Sequence, residues 1–360
     1  MLKYFKSSFI LFGLGLIAAF FIGGIQAATI VSILCILEIS LSFDNAVVNA
    51  KKLNEMDDVW RHRFLTWGML IAVFGMRIIF PIIIVAIVAA VTPYAAAKIA
   101  FTDPDLYAKI MHDSHVAVAA FGGTFLLMVF LKFFFDKEKD IHWIRVIEEP
   151  LIKLGRLDQI ETLIAIIAIV VMSKFTHEPL TFAISGLAGL ATYLAIDSFS
   201  ALLEEHESQK SMAGTAVKSG LAGFLYLETL DASFSFDGVI GAFAITHDII
   251  IIAIGLGVGA MFVRSMTLML VDKGTLGEFR YLEHGAFYAI GALATLMYVG
   301  TLMEVSEIIT GLIGAGFIVL ALYSSIRYNK LNLYCLIRWR FYLHKFLKKA
   351  YEYDFNIINF

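Results

Sequence analysis

The chain has 360 residues, 59% of them hydrophobic and only 16% charged, with a formal net charge of −3 and a mean hydropathy of +0.81. This balance lies well outside that of a soluble globular domain and marks a membrane protein. No nucleic-acid module, phosphate loop or zinc pattern is visible, and two cysteines, Cys35 and Cys335, give neither a disulfide framework nor a thiolate metal site.

In chain order, Met1 to Ala27 begins with Lys3 and Lys6 and continues as a long apolar run without a small-x-small site at its end. It reads as an uncleaved first span rather than a signal peptide. Further apolar runs predict helices near 8–26, 28–48, 64–91, 115–135, 160–175, 179–203, 217–246, 248–271, 284–302 and 304–325. The expected fold is therefore all-α, a polytopic membrane protein of about ten helices. Segment 136–159 mixes charges with helically spaced apolar residues and reads as an interfacial linker helix. The tail from Arg327, with Arg338-Trp339-Arg340-Phe341-Tyr342, reads as a basic amphipathic segment on the anionic inner leaflet.

Charge placement then predicts orientation. With these spans, 23 of the 28 lysines and arginines fall on the side of both termini, while Lys98, Lys109 and Lys174 fall on the other. That asymmetry predicts cytoplasmic termini in a bacterial inner membrane. Arg77 and Arg264 are left inside apolar spans.

Two stretches share one acidic pattern: Glu38-Ile39-Ser40-Leu41-Ser42-Phe43-Asp44 and Asp231-Ala232-Ser233-Phe234-Ser235-Phe236-Asp237. Ionisable groups within a span are costly enough to be functional candidates. More matches follow in order. Gly68 and Gly255 each precede an arginine by nine residues, Arg77 and Arg264, with Ala72 and Ala260 between. His115 to Gly123 parallels His284 to Ala292. The copies start five spans apart, an odd number, so the halves point in opposite directions. The expected organisation is a first span at 1–27, one half at 28–135, a linker with two spans at 136–216, an inverted second half at 217–325 and a tail at 326–360. A site shared at the junction of the halves is the expectation for such transporters.

On a straight helix Glu38, Ser42 and Asn45 share a face while Asp44 turns away. Asp231 aligns with Ser235, Glu228 sits a turn earlier, and Gly238 makes the second copy easier to break. Carboxylate, hydroxyl and amide oxygens suit a hard divalent ion such as Mn²⁺, Mg²⁺ or Ca²⁺. The candidate ion ligands are Glu38, Asp44, Asn45, Asp231, Asp237 and Glu228, with Ser42 and Ser235 as neutral helpers. Arg77 and Arg264 would balance charge. Against this stand plainer roles: intramembrane acids as packing partners, serines bonded to the preceding turn, His115 and His284 as interfacial packing, and Gly255, Gly257 and Gly259 as a close helix contact.

These motifs resemble those of the TerC family of integral membrane proteins, named for tellurium resistance. The likeness rests on Leu37 to Asn45, Asp231 to Asp237, and the two Gly-Ala-Arg helices, over roughly 28–135 and 217–325. It implies a LysE-like inverted-repeat transporter fold and Mn²⁺ export. The chain departs where Gly238 follows Asp237, a position the family usually fills with serine. The sequence-level reading is a non-enzymatic exporter of a divalent cation, with Mn²⁺ first, embedded in the bilayer. Rival readings are an exporter of amino acids or oxyanions held by the arginines, and a membrane scaffold or metalation partner.

Overall fold

The computed structural model describes residues 2–68, 70–137, 139–211, 220–246, 248–272, 279–303, 305–306 and 309–330, and among them every regular element is helical. α1 (Leu2–Leu41) and α2 (Phe43–Glu55) meet at Ser42, and α3 (Asp58–Arg63) leads into π-helical stretches at Phe64–Gly68 and Ile71–Ile79. α4 (Phe80–Val88), α5 (Pro93–Thr102), α6 (Pro104–Asp113), α7 (His115–Phe134), α8 (Arg145–Leu154) and α9 (Ile160–Ser173) follow. Then come α10 (Pro179–Ser211), α11 (Leu221–Ile245), α12 (Ile249–Asp272), α13 (Leu282–Gly300) and α14 (Ile309–Lys330).

Helix is what an apolar chain must form where water cannot satisfy its backbone. Polar side chains mark the starts: Asp57 accepts from the Trp60 amide at 2.7 Å, Asp103 from Leu106 at 3.1 Å, and Asp248 from Ile250 at 2.9 Å. Thr92 caps α5, with Pro93 in the first turn where its missing N–H costs nothing.

A helix occupies each of the ten predicted positions, but not as ten simple spans. Five helices among the described residues are long and apolar enough to cross a membrane, or six if a bent pair counts as one. The 40-residue α1 bends at Gly23 and Gly24, and Gly24 sits at φ 67°, ψ −154°, which glycine alone adopts readily. The predicted 64–91 span is interrupted: Arg77–Val88 and Pro93–Thr102 meet at 106°, and α5 and α6 fill what read as a loop. α9 has only 14 residues, about 21 Å at 1.5 Å per residue, short of a ~30 Å hydrocarbon layer. α11 carries three acids, Glu228, Asp231 and Asp237, which dilute its apolar character.

Packing crosses between the two halves. α1 lies along α12; α2 lies against α12 and α13; the Ile71–Ile79 stretch and α7 lie against α11; and α7 pairs with α13. Glycines set the closest contacts. A Cβ at Gly255 would stand 2.6 Å from the Leu34 Cβ, and one at Gly291 would stand 2.4 Å from the Phe130 ring. Such approach is how small residues hold helices together without a hydrophobic driving force.

The 136–159 segment is more than an interfacial linker. Val146 is exposed, but Glu148 is fully buried. Its carboxylate accepts from the backbone amides of Trp143 (3.2 Å) and Ile144 (3.1 Å) and from the Tyr288 hydroxyl (3.3 Å). Lys139 lies 3.1 Å from its other oxygen, with His284 at 3.5 Å and His142 at 3.8 Å. Burial alone would raise the Glu148 carboxyl, but the Ile144 amide, Lys139 and His284 outweigh it and hold the group below the usual glutamate range. His284 is thus a buried anchor, also bonded to the Ile141 carbonyl at 2.7 Å, and not the interfacial packing residue expected.

Candidate functional site

The first acidic motif breaks where its serine and aspartate stand. Ser42 takes φ −105°, ψ 17°, ending α1 and starting α2, while α11 runs unbroken through Gly238. The break falls in the first copy, not in the second where Gly238 made it expected. A Cβ at Gly238 would stand 3.2 Å from Glu38 Oε2, and one at Gly259 would stand 2.5 Å from the Glu38 Cβ. Gly238 leaves room for the Glu38 carboxylate of α1.

Glu38 is 1% exposed. Its Oε1 accepts from the Ser42 hydroxyl at 2.8 Å and forms an ion pair with Arg77. Asp231, on α11, accepts from the Asn45 amide, 186 residues away, and from Asn49 at 3.3 Å. Glu38 and Asp231 therefore flank one small cavity of about 30 Å³, lined by Ser42, Asn45, Asn49, Arg77, Asp231, Ser235, Arg264 and Thr267 among others. Arg264 reaches across to the carbonyl of Leu65 at 2.7 Å, in the first π-helical stretch.

Asp44 faces elsewhere. Its Oδ1 accepts from the Asn45 backbone amide at 2.9 Å, and it lines a separate cavity with Ser40, Leu41, Thr310 and Gly311. Glu228 is also apart: it is 8% exposed, neither oxygen has a hydrogen-bond partner among the described residues, and a Cβ at Gly68 would stand 2.6 Å from Oε1. The side chains of Asp237 and Ser233 lie outside the described residues.

Among the described residues no three His, Cys, Asp or Glu side chains converge into a group that could hold a metal ion. The expectation of carboxylates paired face to face includes Asp237, whose side chain lies outside the described residues. Glu38 is engaged by Arg77, and the turn at Ser42 sends Asp44 to the other side of α2. What does converge is a set of oxygens with spare acceptor capacity. The Asn45 and Asn49 carbonyl oxygens and the Ser235 hydroxyl are buried without partners among the described residues. Buried polar atoms are nearly always satisfied, so such atoms mark a place for a ligand or water.

The serines divide between the roles anticipated for them. Ser40 bonds the Ile36 carbonyl at 2.9 Å, Ser42 bonds Glu38, and Ser235 is uncommitted. Sequence reasoning missed Asn49 and Thr267. Asn49 was findable: it stands four residues after Asn45, on the same helical face. Thr267 gave no signal beyond being polar in an apolar run.

Fold and site together define an all-α chain with several helices suited to crossing a membrane and a buried cluster of oxygen donors where its two halves meet. The chain belongs to the family described as a protein of unknown function (DUF475), which matches residues 43–332. No curated protein and no solved structure matches it.

Proposed function

We propose that the protein is a secondary transporter that exports a divalent metal cation, Mn²⁺ first, through oxygen ligands buried between inverted halves. The observation that carries this reading is the grip of Asn45 and Asn49 on Asp231, which joins the two acidic motifs around one cavity. Support for the inverted repeat comes from the crossed packing. The motif helix of each half touches the second and third helices of the other, the reciprocity expected of matched halves about a two-fold axis. Kinship with the TerC family, ten spans and cytoplasmic termini belong to the same reading.

The chemistry follows from the donors. Amide, hydroxyl and carboxylate oxygens favour Mn²⁺, Mg²⁺ or Ca²⁺ over soft ions. Asp231 binds the ion, Asn45, Asn49 and Ser235 complete its shell, and Arg77 holds Glu38 when the ion is absent.

Both arginines line the cavity, which favours a second reading in which a small oxyanion or amino acid is the cargo. Size weighs against it: about 30 Å³ suits a single ion or water better than an amino acid. Vesicle efflux and Mn²⁺ sensitivity of cells test the choice. Asp231→Asn and Asp237→Asn are expected to abolish Mn²⁺ efflux. Unchanged transport in both, with loss in Arg77→Gln, would transfer the assignment to the anion.

A further inference from the structure

Asp44, just past the Ser42 break, and Asp231, on α11, line different cavities, and those cavities lie toward different faces. α7 runs about 30 Å, from His115 to Phe134, whose ring lies 4.4 Å from Lys139. Lys139, Glu148 and the Lys51–Glu283 pair define the near face. The far face holds a large vestibule of about 1010 Å³, lined by His112, His115, His177, Asp105 and Glu178 among others. Thr310 lines both this vestibule and the Asp44 cavity. The Asp231 cavity is bounded instead by Asn49 and Thr267, on the parts of α2 and α12 that run toward the near face.

We propose that the vestibule is the far-face mouth of the ion route, that Thr310 is its neck, and that Asp44 is the carboxylate it serves. The inference rests on the transport reading above. Its ligand is a hydrated divalent cation. The vestibule is wide enough for an ion with its waters, and no three His, Cys, Asp or Glu side chains among the described residues come close enough to strip them. Imidazoles and carboxylates would then hold the ion through water, weakly enough to let it go. The chain break at Ser42 gives the route two stations, with Asp231 serving one face and Asp44 the other. His115, read from sequence as packing, gains a role as vestibule wall. A Cβ at Gly300 would stand 3.4 Å from its ring, so the glycine leaves the imidazole room at the rim.

The test is thiol accessibility in full-length protein, in right-side-out and inside-out vesicles, with Cys35→Ala and Cys335→Ser as background. Thr310→Cys should react with a membrane-impermeant thiol reagent only from the face opposite the one that labels Glu149→Cys. Mn²⁺ should slow that reaction, and Asp44→Asn should remove the slowing. Ser306→Cys, at the vestibule wall, should label from the same face and guards against misfolding of the Thr310 variant. Labelling of Thr310→Cys from the near face, or none while Ser306→Cys labels, would overturn the proposal, as would labelling indifferent to Mn²⁺. Efflux separates the two claims. If labelling behaves as stated but Asp231→Asn still exports Mn²⁺, the transport reading fails. If export is lost but Thr310→Cys is inert, the vestibule does.

Discussion

Two buried acidic regions of this molecule are treated in opposite ways by their surroundings. Glu148, in the linker, is met by two backbone amides, a tyrosine hydroxyl, a lysine and two histidines. Asp231, in α11, is met by two asparagine amides, and Glu228, on the same helix, by no hydrogen-bond partner among the described residues. A carboxylate that holds a fold together is saturated with donors, because an unpaired buried charge costs several kcal/mol. One kept short of donors is carried at a cost in stability, which is explicable when a cation is its partner.

The sharpest way to break this contrast is to remove one acid from each region. Glu148→Ala should destabilise the protein by about 3–5 kcal/mol, since Lys139 is left buried without its counter-charge. Asp231→Asn should shift stability by only about 1 kcal/mol or less, because it removes a buried charge, yet it should abolish Mn²⁺ efflux. Chemical denaturation beside a vesicle flux assay reads both, and similar destabilisation in the two variants would erase the distinction. A somewhat smaller effect is expected at Gly259, where a Cβ would stand 2.5 Å from the Glu38 Cβ. Gly259→Ala should cost about 1–3 kcal/mol by forcing α1 from α12, and should lower efflux as Glu38 is displaced. Smaller again, Glu228→Gln should stabilise the apo protein by about 1 kcal/mol, seen as a higher melting temperature, since it replaces a buried carboxyl with no hydrogen-bond partner among the described residues by a neutral amide.

The smallest effect concerns pH. Glu148 is held below the ordinary glutamate value of 4.5, so its contribution is complete above that value and fades as pH falls through the depressed one. The hydrogen-exchange protection factors of residues 139–148, taken relative to the intrinsic exchange rate at each pH, should therefore fall on acidification below about pH 4.5 in the wild type. The Glu148→Gln variant should show low protection factors at every pH; a parallel fall in both would assign the effect to other groups.

Much of this was legible before any coordinates. Helices appear where apolar runs were read, because lipid-suited sequence leaves the backbone no alternative. Glu38, Ser42, Asn45, Asp231, Ser235 and both arginines gather near one cavity, as a duplicated motif implied. Breaks were harder to foresee. The bend at Gly23 and Gly24 looks like any glycine pair, and the turn at Ser42 falls in the copy whose aspartate is followed by Asn45 and not by a glycine. Asp44 was read on a straight helix, but the turn at Ser42 sets its direction, and its neighbour Thr310 comes from a helix far along the chain. The Glu148 anchor was read as an interfacial segment because its partners, His284 and Tyr288, belong to another helix.

The central claim, that buried oxygens around Asp231 bind a divalent cation, is met most directly by thermal stability of the purified protein with Mn²⁺, Mg²⁺, Ca²⁺ or Zn²⁺. The account predicts that Mn²⁺ raises the melting temperature of the wild type and leaves Asp231→Asn unmoved. A wild type indifferent to every ion, or an Asp231→Asn variant that responds equally, would contradict it.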